Sequence, residues 1–337
     1  MRRAEVFPKR VSGRRPVTQY RGPVTAPERV RGRYAPSPTG DLHLGNLRTA
    51  VLAWLFAHHG DHRGDHAGSG PGELLYRIED LDPSRVRPGT ADRQRADLES
   101  LGLVFDPPLV VQSTRFEAYA SALESVRAQT FECFCSRREI AEAASAPHGT
   151  PRRYPGTCRN LSAAERADRR RSRPPAIRLR AEPEPVTVSD LLHGEITGTP
   201  DDIVLQRNDG SPAYNLAVVV DDADSGINQV VRGDDLLDSA ISHVYLARLL
   251  GRQAPTYAHV PLALNAAGQR LAKRDGAVTL ADLAAYGIGA QQVLTLIAVS
   301  LGLAADGEQV DLATLQNRFD PARLPRTPWI VTAPVGD

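Results

Sequence analysis

The sequence predicts an α/β fold built on a parallel sheet, because two strand-like runs alternate with two helix-like runs. Residues 30–35 (VRGRYA) and 73–80 (ELLYRIED) are strand candidates, and the second ends in the polar pair Glu79–Asp80. Residues 44–59 and 90–101 follow them as helix candidates, each closed by a glycine, and the first carries apolar side chains at helical spacing. This alternation is typical of parallel strands joined by crossover helices. Ligands of such sheets gather at the carboxyl ends of the strands, so Glu79 is a candidate site residue.

The rest of the chain predicts a mixture of helices and short strands. In chain order these are a helix over 116–129, strands over 176–181, 202–207 and 213–222, a helix over 234–251, a strand over 259–265, and helices from Ala281 onward. The segment 213–222, AYNLAVVVDD, is a continuous apolar run ending in two aspartates, and we predict a buried strand there.

The composition is that of a globular protein with a basic N-terminal segment. The chain has 337 residues, 41% of them hydrophobic, and a net charge of +1, so it is long enough for roughly two domains and its charge excludes no class of partner. Residues 1–30 are rich in arginine and lack apolar periodicity, which predicts a disordered basic arm. This arm has no apolar core of a secretory signal, and no segment approaches the roughly 20 apolar residues of a membrane span. We expect a cytoplasmic protein.

Lysine is almost absent from the sequence. Only Lys9 and Lys273 occur among 41 basic residues, and mutational bias is an ordinary explanation for the excess of arginine. A lysine kept in such a background suggests a position that needs a compact charge rather than the planar arginine fork. Lys273 is therefore a candidate functional residue.

His43 and Gly45 lie where the loop YAPSPTGDLHLGN becomes a helix. A helix N-terminus offers N–H groups and a positive dipole end to an anion, and glycine lets a phosphate approach the backbone. An imidazole there can hydrogen-bond phosphate oxygens as charge builds up in a transition state. On spacing alone, a histidine that caps the helix or lies on the surface is the simpler interpretation.

Three cysteines, Cys133, Cys135 and Cys158, are the chain's candidate metal ligands. A disulfide is disfavoured in a cytosolic protein, and three thiolates need a fourth ligand for tetrahedral zinc. His148 is available as the usual kind of fourth ligand, and three unlinked thiols are the alternative. A separate group of histidines, for which solvated side chains are a simpler interpretation than a metal site, comprises His58, His59, His62 and His66.

Several segments together resemble one family. RYAPSPTGDLHLGNLRTA with RIEDLD resembles the glutamyl branch of the class I aminoacyl-tRNA synthetases, whose HIGH motif corresponds to residues 43–46, with Asn46 in the fourth position. AYNLAVVVDD and VVRGDDL are similar to later segments of that branch, and RLAKR (270–274) corresponds to the second motif, KMSKS. The residues of RLAKR that differ from KMSKS are Arg270, Leu271, Ala272 and Arg274. The resemblance runs from about Arg31 to about residue 300 and implies a Rossmann-type sheet.

The resemblance implies roles for particular residues. Arg33 would bind the side-chain carboxylate of glutamate and Glu79 its ammonium group, which is sensible chemistry for a ligand with two carboxylates. The implied glutamate contacts are Arg33, Ser37, Glu79, Tyr214 and Arg232. The implied ATP contacts are His43, Gly45, Asn46 and Lys273; of these, His43 and Lys273 would be catalytic, and Mg²⁺ would accompany ATP.

Two features resemble a short, glutamyl-queuosine subfamily of these enzymes. The Cys-x-Cys pair followed by Tyr-x-x-x-Cys is similar to its structural zinc site, with Tyr154 as the fourth ligand. Only about sixty residues follow Lys273, too few for the anticodon-reading domain of a full glutamyl-tRNA synthetase. The subfamily activates glutamate with ATP, without needing tRNA, and transfers it from glutamyl-adenylate to queuosine in tRNA(Asp). We expect a monomer.

Two alternative functions and a division of the chain follow from the same resemblance. The alternatives are a truncated glutamyl-tRNA synthetase that charges the 3′ end of tRNA(Glu) and a non-catalytic RNA-binding paralogue. The expected segments are the basic extension (1–30), the first half of the Rossmann catalytic domain (31–115), an insertion subdomain of acceptor-binding type with the zinc site (116–200), the second Rossmann half (201–265), and a KMSKS-like loop with a short helical C-terminal region (266–337).

Overall fold

The computed structural model describes residues 29–59, 72–136, 138–140, 153–271 and 278–331. Nearly all of the predicted basic arm, together with His62, His66, His148 and Lys273, lies outside the described residues. The strands are β1 Arg31–Tyr34, β2 Glu73–Ile78, β3 Asp106–Val111, β4 Thr130–Cys133, β5 Ala176–Leu179, β6 Val186–Asp190, β7 Gly194–Gly198, β8 Val204–Gln206, β9 Gln229–Gly233, β10 Thr256–Val260, β11 Ala263–Leu264 and β12 Trp329–Ile330. The α-helices are α1 Leu44–Ala57, α2 Thr90–Ser100, α3 Phe116–Ser125, α4 Ala163–Arg170, α5 Tyr214–Asp224, α6 Leu237–Leu249, α7 Leu280–Ala285, α8 Ala290–Ser300 and α9 Leu312–Arg318.

The first sheet confirms the predicted α/β class. Its strands β1, β2 and β3 lie side by side in that order and run parallel, with α1 and α2 as the crossover helices. β3 was not predicted because Pro107 and Pro108 lower its apparent strand propensity. At the edge of a sheet, however, a missing backbone N–H group is tolerated.

The second sheet has the strand order β7, β6, β10, β9. β6, β10 and β9 run parallel, and β7 is an antiparallel edge strand. The helix predicted over 234–251 is confirmed as α6, whereas the strand predicted over 259–265 begins earlier, as β10, and is followed by the separate β11. The limits of the insertion subdomain, residues 116–200, stay a prediction. β6 and β7 fall within these limits, yet they pair in the second sheet.

The third sheet is small and antiparallel, in the order β4, β5, β8. The strands predicted over 176–181 and 202–207 are confirmed as β5 and β8. β4 ends at Cys133, so this sheet fixes the first of the three cysteines.

The prediction of a strand over 213–222 is wrong. Residues Tyr214–Asp224 form helix α5, whose Leu216–Asp222 stretch is buried throughout. The helix packs against α3, α6 and β8, so neighbours cover it on several sides and it keeps no polar face. A short apolar run of this kind cannot be assigned to strand or helix by periodicity alone.

The predicted C-terminal helices are confirmed as α7, α8 and α9. Their apolar side chains, including Leu283, Ile297 and Leu315, share one core with Leu47 and Val51 of α1. This packing holds the start of α1 against the segment around residue 279, where His43 and Thr279 form an isolated antiparallel bridge. None of the helices described here is both long and apolar enough to cross a membrane.

Candidate active site

His43 is the residue at which α1 begins. Its Nδ1 accepts hydrogen bonds from the backbone N–H groups of Gly45 and Asn46, at 3.1 and 3.3 Å. The side-chain oxygen of Asn46 accepts one from the backbone N–H of His43 at 3.2 Å. Because Nδ1 is an acceptor, the proton of the neutral ring is on Nε2. His43 therefore caps the helix, and the capping geometry determines which ring nitrogen can donate.

Gly45 is packed so closely that a side chain here would press on its neighbours. A Cβ atom here would lie 3.1 Å from the Cβ of Ala263 and 3.1 Å from both Cε1 and Nδ1 of His43. The sequence predicted that glycine lets a phosphate approach; in the structure it also lets the His43 ring fold over the helix start. Two N–H groups of the helix N-terminus are used by that ring, which leaves fewer of them for an anion.

Arg33, on β1, is buried and paired. Its Nε donates to Oδ1 of Asp222, and its Nη1 donates to the backbone oxygen of Val231, both at 3.3 Å. Arg77, on β2, donates from Nη1 to the same Asp222 oxygen at 2.6 Å and from Nη2 to Oε1 of Glu79 at 3.2 Å. Two arginines and two carboxylates thus form one network that contains both Arg33 and Glu79.

Burial and charge act in opposite ways on the two carboxylates of this network. Burial raises the pKa of Glu79, and the nearby Arg77 and Arg33 offset this only in part. Burial also favours a raised pKa for Asp222, but Arg77 and Arg33 outweigh it and hold that pKa below its usual value. Asp222 is therefore the permanent counter-charge of the arginines, whereas Glu79 is the carboxylate that protonates first on acidification.

Arg232, on β9, is buried among neutral acceptors. Its Nε donates to Nε2 of His259 at 3.0 Å, its Nη1 to Nδ1 of His243 at 3.3 Å, and its Nη2 to the backbone oxygen of Leu236 at 3.0 Å. Among the described residues, no carboxylate oxygen lies within 4.0 Å of a guanidinium nitrogen of Arg232, which is the limit for an ion pair. Arg232 thus differs from Arg33, because its positive charge has no directly bonded counter-charge.

A cavity of about 800 Å³ extends from Glu79 to the cysteines. Ser37, Glu79 and Tyr214 line it, and so do Cys133 and Cys135. Further lining residues are the arginines Arg85, Arg173, Arg178 and Arg207. Among the described residues, these four arginines face two lining carboxylates, those of Glu79 and Asp82, so the lining has a net positive charge, which suits an anionic ligand.

The three cysteine sulfur atoms lie within 4.8 Å of one another. The hydroxyl oxygen of Tyr154 is 3.3 Å from the Cys133 sulfur and 3.8 Å from the Cys135 sulfur, and the sulfurs of Cys135 and Cys158 are 3.6 Å apart. The usual bond lengths of tetrahedral zinc place sulfurs about 3.8 Å from one another and an oxygen about 3.5 Å from each sulfur. The four groups therefore have the chemistry and spacing to hold a metal ion.

Sequence reasoning missed Arg77, Asp222 and the histidine partners of Arg232. A signal for Arg77 exists, because an arginine inside the apolar strand ELLYRI is almost never buried without a partner. Asp222 was noticed only as the end of an apolar run. His243 and His259 carry no local signal, since their side-chain partners lie between 11 and 69 residues away in the sequence.

The comparison with family models decides the class of protein. The model described as "tRNA synthetases class I (E and Q), catalytic domain" matches residues 29–331. The chain belongs to this family. The resemblance inferred from the sequence is thereby confirmed, and this class I tRNA synthetase is an enzyme of the ligase type.

Individual relatives of this class I synthetase fall into two groups. A glutamyl-Q tRNA(Asp) synthetase of Nocardia farcinica is 58% identical over 304 residues, 89% of this chain and 93% of the relative. A protein of the same name from Cutibacterium acnes is 48% identical over 275 residues, 81% and 76% of the two chains. The crystal structure of a glutamate tRNA ligase from Elizabethkingia meningosepticum in complex with its amino acid gives a TM-score of 0.71 at 27% identity, and the match covers 91% of this chain and 68% of that one.

Proposed function

We propose that the enzyme activates L-glutamate with ATP and transfers it to the queuosine base at the wobble position of tRNA(Asp). The observation that carries this proposal is the 58% identity to a relative named glutamyl-Q tRNA(Asp) synthetase, over 93% of that relative's length. The glutamate tRNA ligase is more distant, at 27% identity over 68% of its chain.

The buried charges support glutamate as the substrate. Arg33 and Arg232 supply positive charge for its two carboxylates, and Glu79 supplies the partner of its ammonium group. Ser37 and Tyr214 line the same cavity as Glu79 and complete the proposed set of contacts. Because Arg33 already pairs with Asp222, Arg232 has the larger uncompensated charge.

In the proposed first step, an α-carboxylate oxygen of glutamate attacks the α-phosphorus of ATP, and pyrophosphate leaves. The protein supplies no nucleophile, so its contribution is positioning and charge stabilisation. The Nε2–H group of His43 donates to a phosphate oxygen, while Gly45 and Asn46 hold the ring through Nδ1. Lys273, which lies outside the described residues, binds the triphosphate, and Mg²⁺ accompanies ATP.

In the proposed second step, a hydroxyl group of the queuosine cyclopentene diol attacks the acyl carbon of glutamyl-adenylate, and AMP leaves. This diol resembles the ribose diol at the end of a tRNA, so a synthetase cleft can accept it. The cavity that runs from Glu79 to Cys133 supplies the space, and Arg85, Arg173 and Arg207 along it suit RNA phosphates.

We infer zinc as the metal of the cysteine group, with a structural role. Cys133, Cys135, Tyr154 and Cys158 would supply four protein ligands and leave no open coordination position, as in other structural sites. When bound, zinc cross-links the end of β4 to the segment that contains Tyr154 and Cys158. The cysteines themselves take no part in the glutamate chemistry.

Two assays on the full chain test the proposed function. Glutamate-dependent ATP–pyrophosphate exchange without tRNA is expected, and its absence would favour the non-catalytic RNA-binding alternative. Labelled glutamate is then offered with tRNA(Asp) that does or does not carry queuosine, with and without the terminal adenosine. We expect transfer that requires queuosine and survives removal of that adenosine. Transfer to tRNA(Glu) that is lost with the terminal adenosine would instead identify a truncated glutamyl-tRNA synthetase.

A further inference from the structure

The partners of Arg232 differ from those of Arg33 and Arg77. Each of those two buried arginines pairs with the carboxylate of Asp222. All three guanidinium nitrogens of Arg232 instead donate to uncharged acceptors. The two side-chain acceptors are imidazoles, and the protonation of an imidazole decides whether it can accept at all.

The hydrogen bonds determine the tautomer of both histidines. Arg232 can only donate, so the ring nitrogens that face it must carry lone pairs. The proton of His259 is therefore on Nδ1, which donates to Oδ2 of Asp190 at 2.6 Å. The proton of His243 is on Nε2, which donates to Oδ1 of Asn215 at 2.9 Å. Burial lowers the pKa of each histidine, and the charge of Arg232 adds to this effect, so both rings stay neutral.

Asp190 anchors one end of this chain of hydrogen bonds. Its carboxylate is buried and also accepts from the backbone N–H groups of Leu192, His193 and His259. Burial favours a raised pKa for Asp190, but these hydrogen bonds and that of His259 outweigh it. The order Asp190, His259, Arg232, His243, Asn215 is thus a chain in which every donor and acceptor is determined.

We propose that His243 and His259 are positioning residues that give the enzyme its selectivity for glutamate over glutamine. As neutral acceptors they hold the guanidinium of Arg232 in place without compensating its charge, which is left for the side-chain carboxylate of glutamate, the group that glutamine lacks. This moves the side-chain carboxylate from Arg33, to which the family resemblance assigned it, to Arg232, because Asp222 already compensates the charge of Arg33. An apolar residue in place of either histidine would remove one of the hydrogen bonds that hold the guanidinium of Arg232. A carboxylate in the same place would compensate the positive charge of Arg232. The inference rests on the proposed glutamate activation and extends it to residues that do not touch the substrate.

A matched pair of variants at His243 tests the idea. In His243→Gln the amide oxygen can accept from Arg232 and the amide nitrogen can donate to Asn215, whereas His243→Leu has neither group. Amino-acid-dependent ATP–pyrophosphate exchange is measured on the full chain with glutamate and with glutamine. We expect H243L to raise the KM for glutamate and to reduce the preference for glutamate over glutamine, each about tenfold, with little change in the KM for ATP. In H243Q, both the KM for glutamate and the preference for glutamate over glutamine are expected to be close to those of the wild-type enzyme.

A second pair avoids a change in the buried core. Asn215→Asp places a carboxylate beside Nε2 of His243, which favours the doubly protonated ring and removes the acceptor that faces Arg232. Asn208→Asp adds the same charge at an exposed residue that lines the same cavity. We expect a raised KM for glutamate in N215D and not in N208D.

The outcomes separate this inference from the proposed function. Wild-type enzyme without glutamate-dependent exchange overturns both. The positioning role alone is overturned if the wild-type enzyme is active and H243L keeps the wild-type KM and selectivity. In that case H243L would differ only in having a smaller fraction of active enzyme. If H243L does not fold, an equal KM for glutamate in N215D and N208D overturns that role in the same way.

Discussion

Arg77 and Asp222 are joined by a hydrogen bond of 2.6 Å between a guanidinium and a carboxylate that are both buried. Asp222 also accepts from Arg33, so this one carboxylate compensates two cations. The structural consequences of losing it are therefore larger than those of losing an ordinary surface ion pair.

Asp222→Asn should lower the free energy of unfolding by about 3–5 kcal/mol, because it leaves two buried arginines with too little negative charge. The matched control is Glu99→Gln, which removes an exposed carboxylate from a pair with Arg95 and should cost less than about 0.5 kcal/mol. Chemical denaturation of both variants measures the difference. Equal losses would show that the buried network does not stabilise the fold.

The affinity for glutamate should depend on pH through Glu79. Only the ionised carboxylate can pair with the substrate's ammonium group, and burial raises the pKa of Glu79. The KM for glutamate should therefore rise as the pH falls, and the rise should begin at a higher pH than it would for an exposed glutamate. In Glu79→Gln the KM for glutamate should be high at every pH and should not show the rise that comes from protonation of Glu79. The same pH profile in wild-type and E79Q enzyme would contradict the assignment.

Gly45→Ala should disturb the catalytic histidine while leaving the fold intact. The new Cβ atom would lie 3.1 Å from the His43 ring and from Ala263, so these neighbours must shift by a few tenths of an ångström, and a shift of the ring displaces its Nε2. We expect the exchange rate to fall at least about tenfold. Gly289→Ala is the control, because Gly289 also precedes a helix and its Cβ would contact only the Gln292 side chain, at 3.9 Å. An unaffected rate in G45A would argue against the role of the His43 ring.

Lys273→Ala should reduce glutamate-dependent exchange by about a hundredfold, because a charge that stabilises the leaving pyrophosphate is lost. Lys9→Ala removes the other lysine of the chain and should leave the exchange rate as it is. Lys273→Arg adds a test of shape, since a need for a compact charge predicts only partial rescue. Wild-type exchange in K273A would refute the triphosphate role.

Cys133→Ser should abolish stoichiometric zinc, whereas Tyr154→Phe should retain zinc but release it faster to a chelator. The reason is that a thiolate is the stronger ligand and that three sulfurs remain in Y154F. Tyr286→Phe, at an exposed tyrosine far along the sequence, is the control. Elemental analysis and a chelator titration give the result. Unchanged metal content in C133S would exclude the site.

Local patterns in the sequence were sufficient for the first sheet and its crossover helices. β1, α1, β2 and α2 form a regular alternation of strand-like and helix-like runs with clear ends, so the pattern identifies them. α5 is a short continuous apolar run, which periodicity cannot assign to helix or strand. β6 and β7 form a short hairpin, and β6 and β9 gain their parallel pairing from β10, which lies far along the chain. Pattern reading fails where tertiary packing, rather than local preference, determines the structure.

The candidate site was predictable to the extent that it lies in contiguous motifs. Arg33 and Glu79 fall in such motifs, and the structure brings them into one network. Arg77 is the first residue of the motif RIEDLD, but its role depends on Asp222, 145 residues away. Asp190 and His243 lie in no motif, and their partners are remote in the sequence. Nor does a sequence indicate that Nδ1 of His43 is an acceptor, which follows only from the path of the backbone.

The buried carboxylate of Asp222 also has a consequence for the order of folding. It is separated by 189 residues from Arg33 and by 145 from Arg77, so these contacts close very long loops. Contacts of that kind form late, since the entropy of loop closure must be overcome first. A partly folded chain in which only one half has formed contains either Arg33 and Arg77 without Asp222, with Glu79 as the carboxylate paired with Arg77, or Asp222 without its two cations. The ability to bind an amino acid should therefore arise only in the final folding step, and ligand binding during refolding should follow the slowest phase rather than the formation of helices.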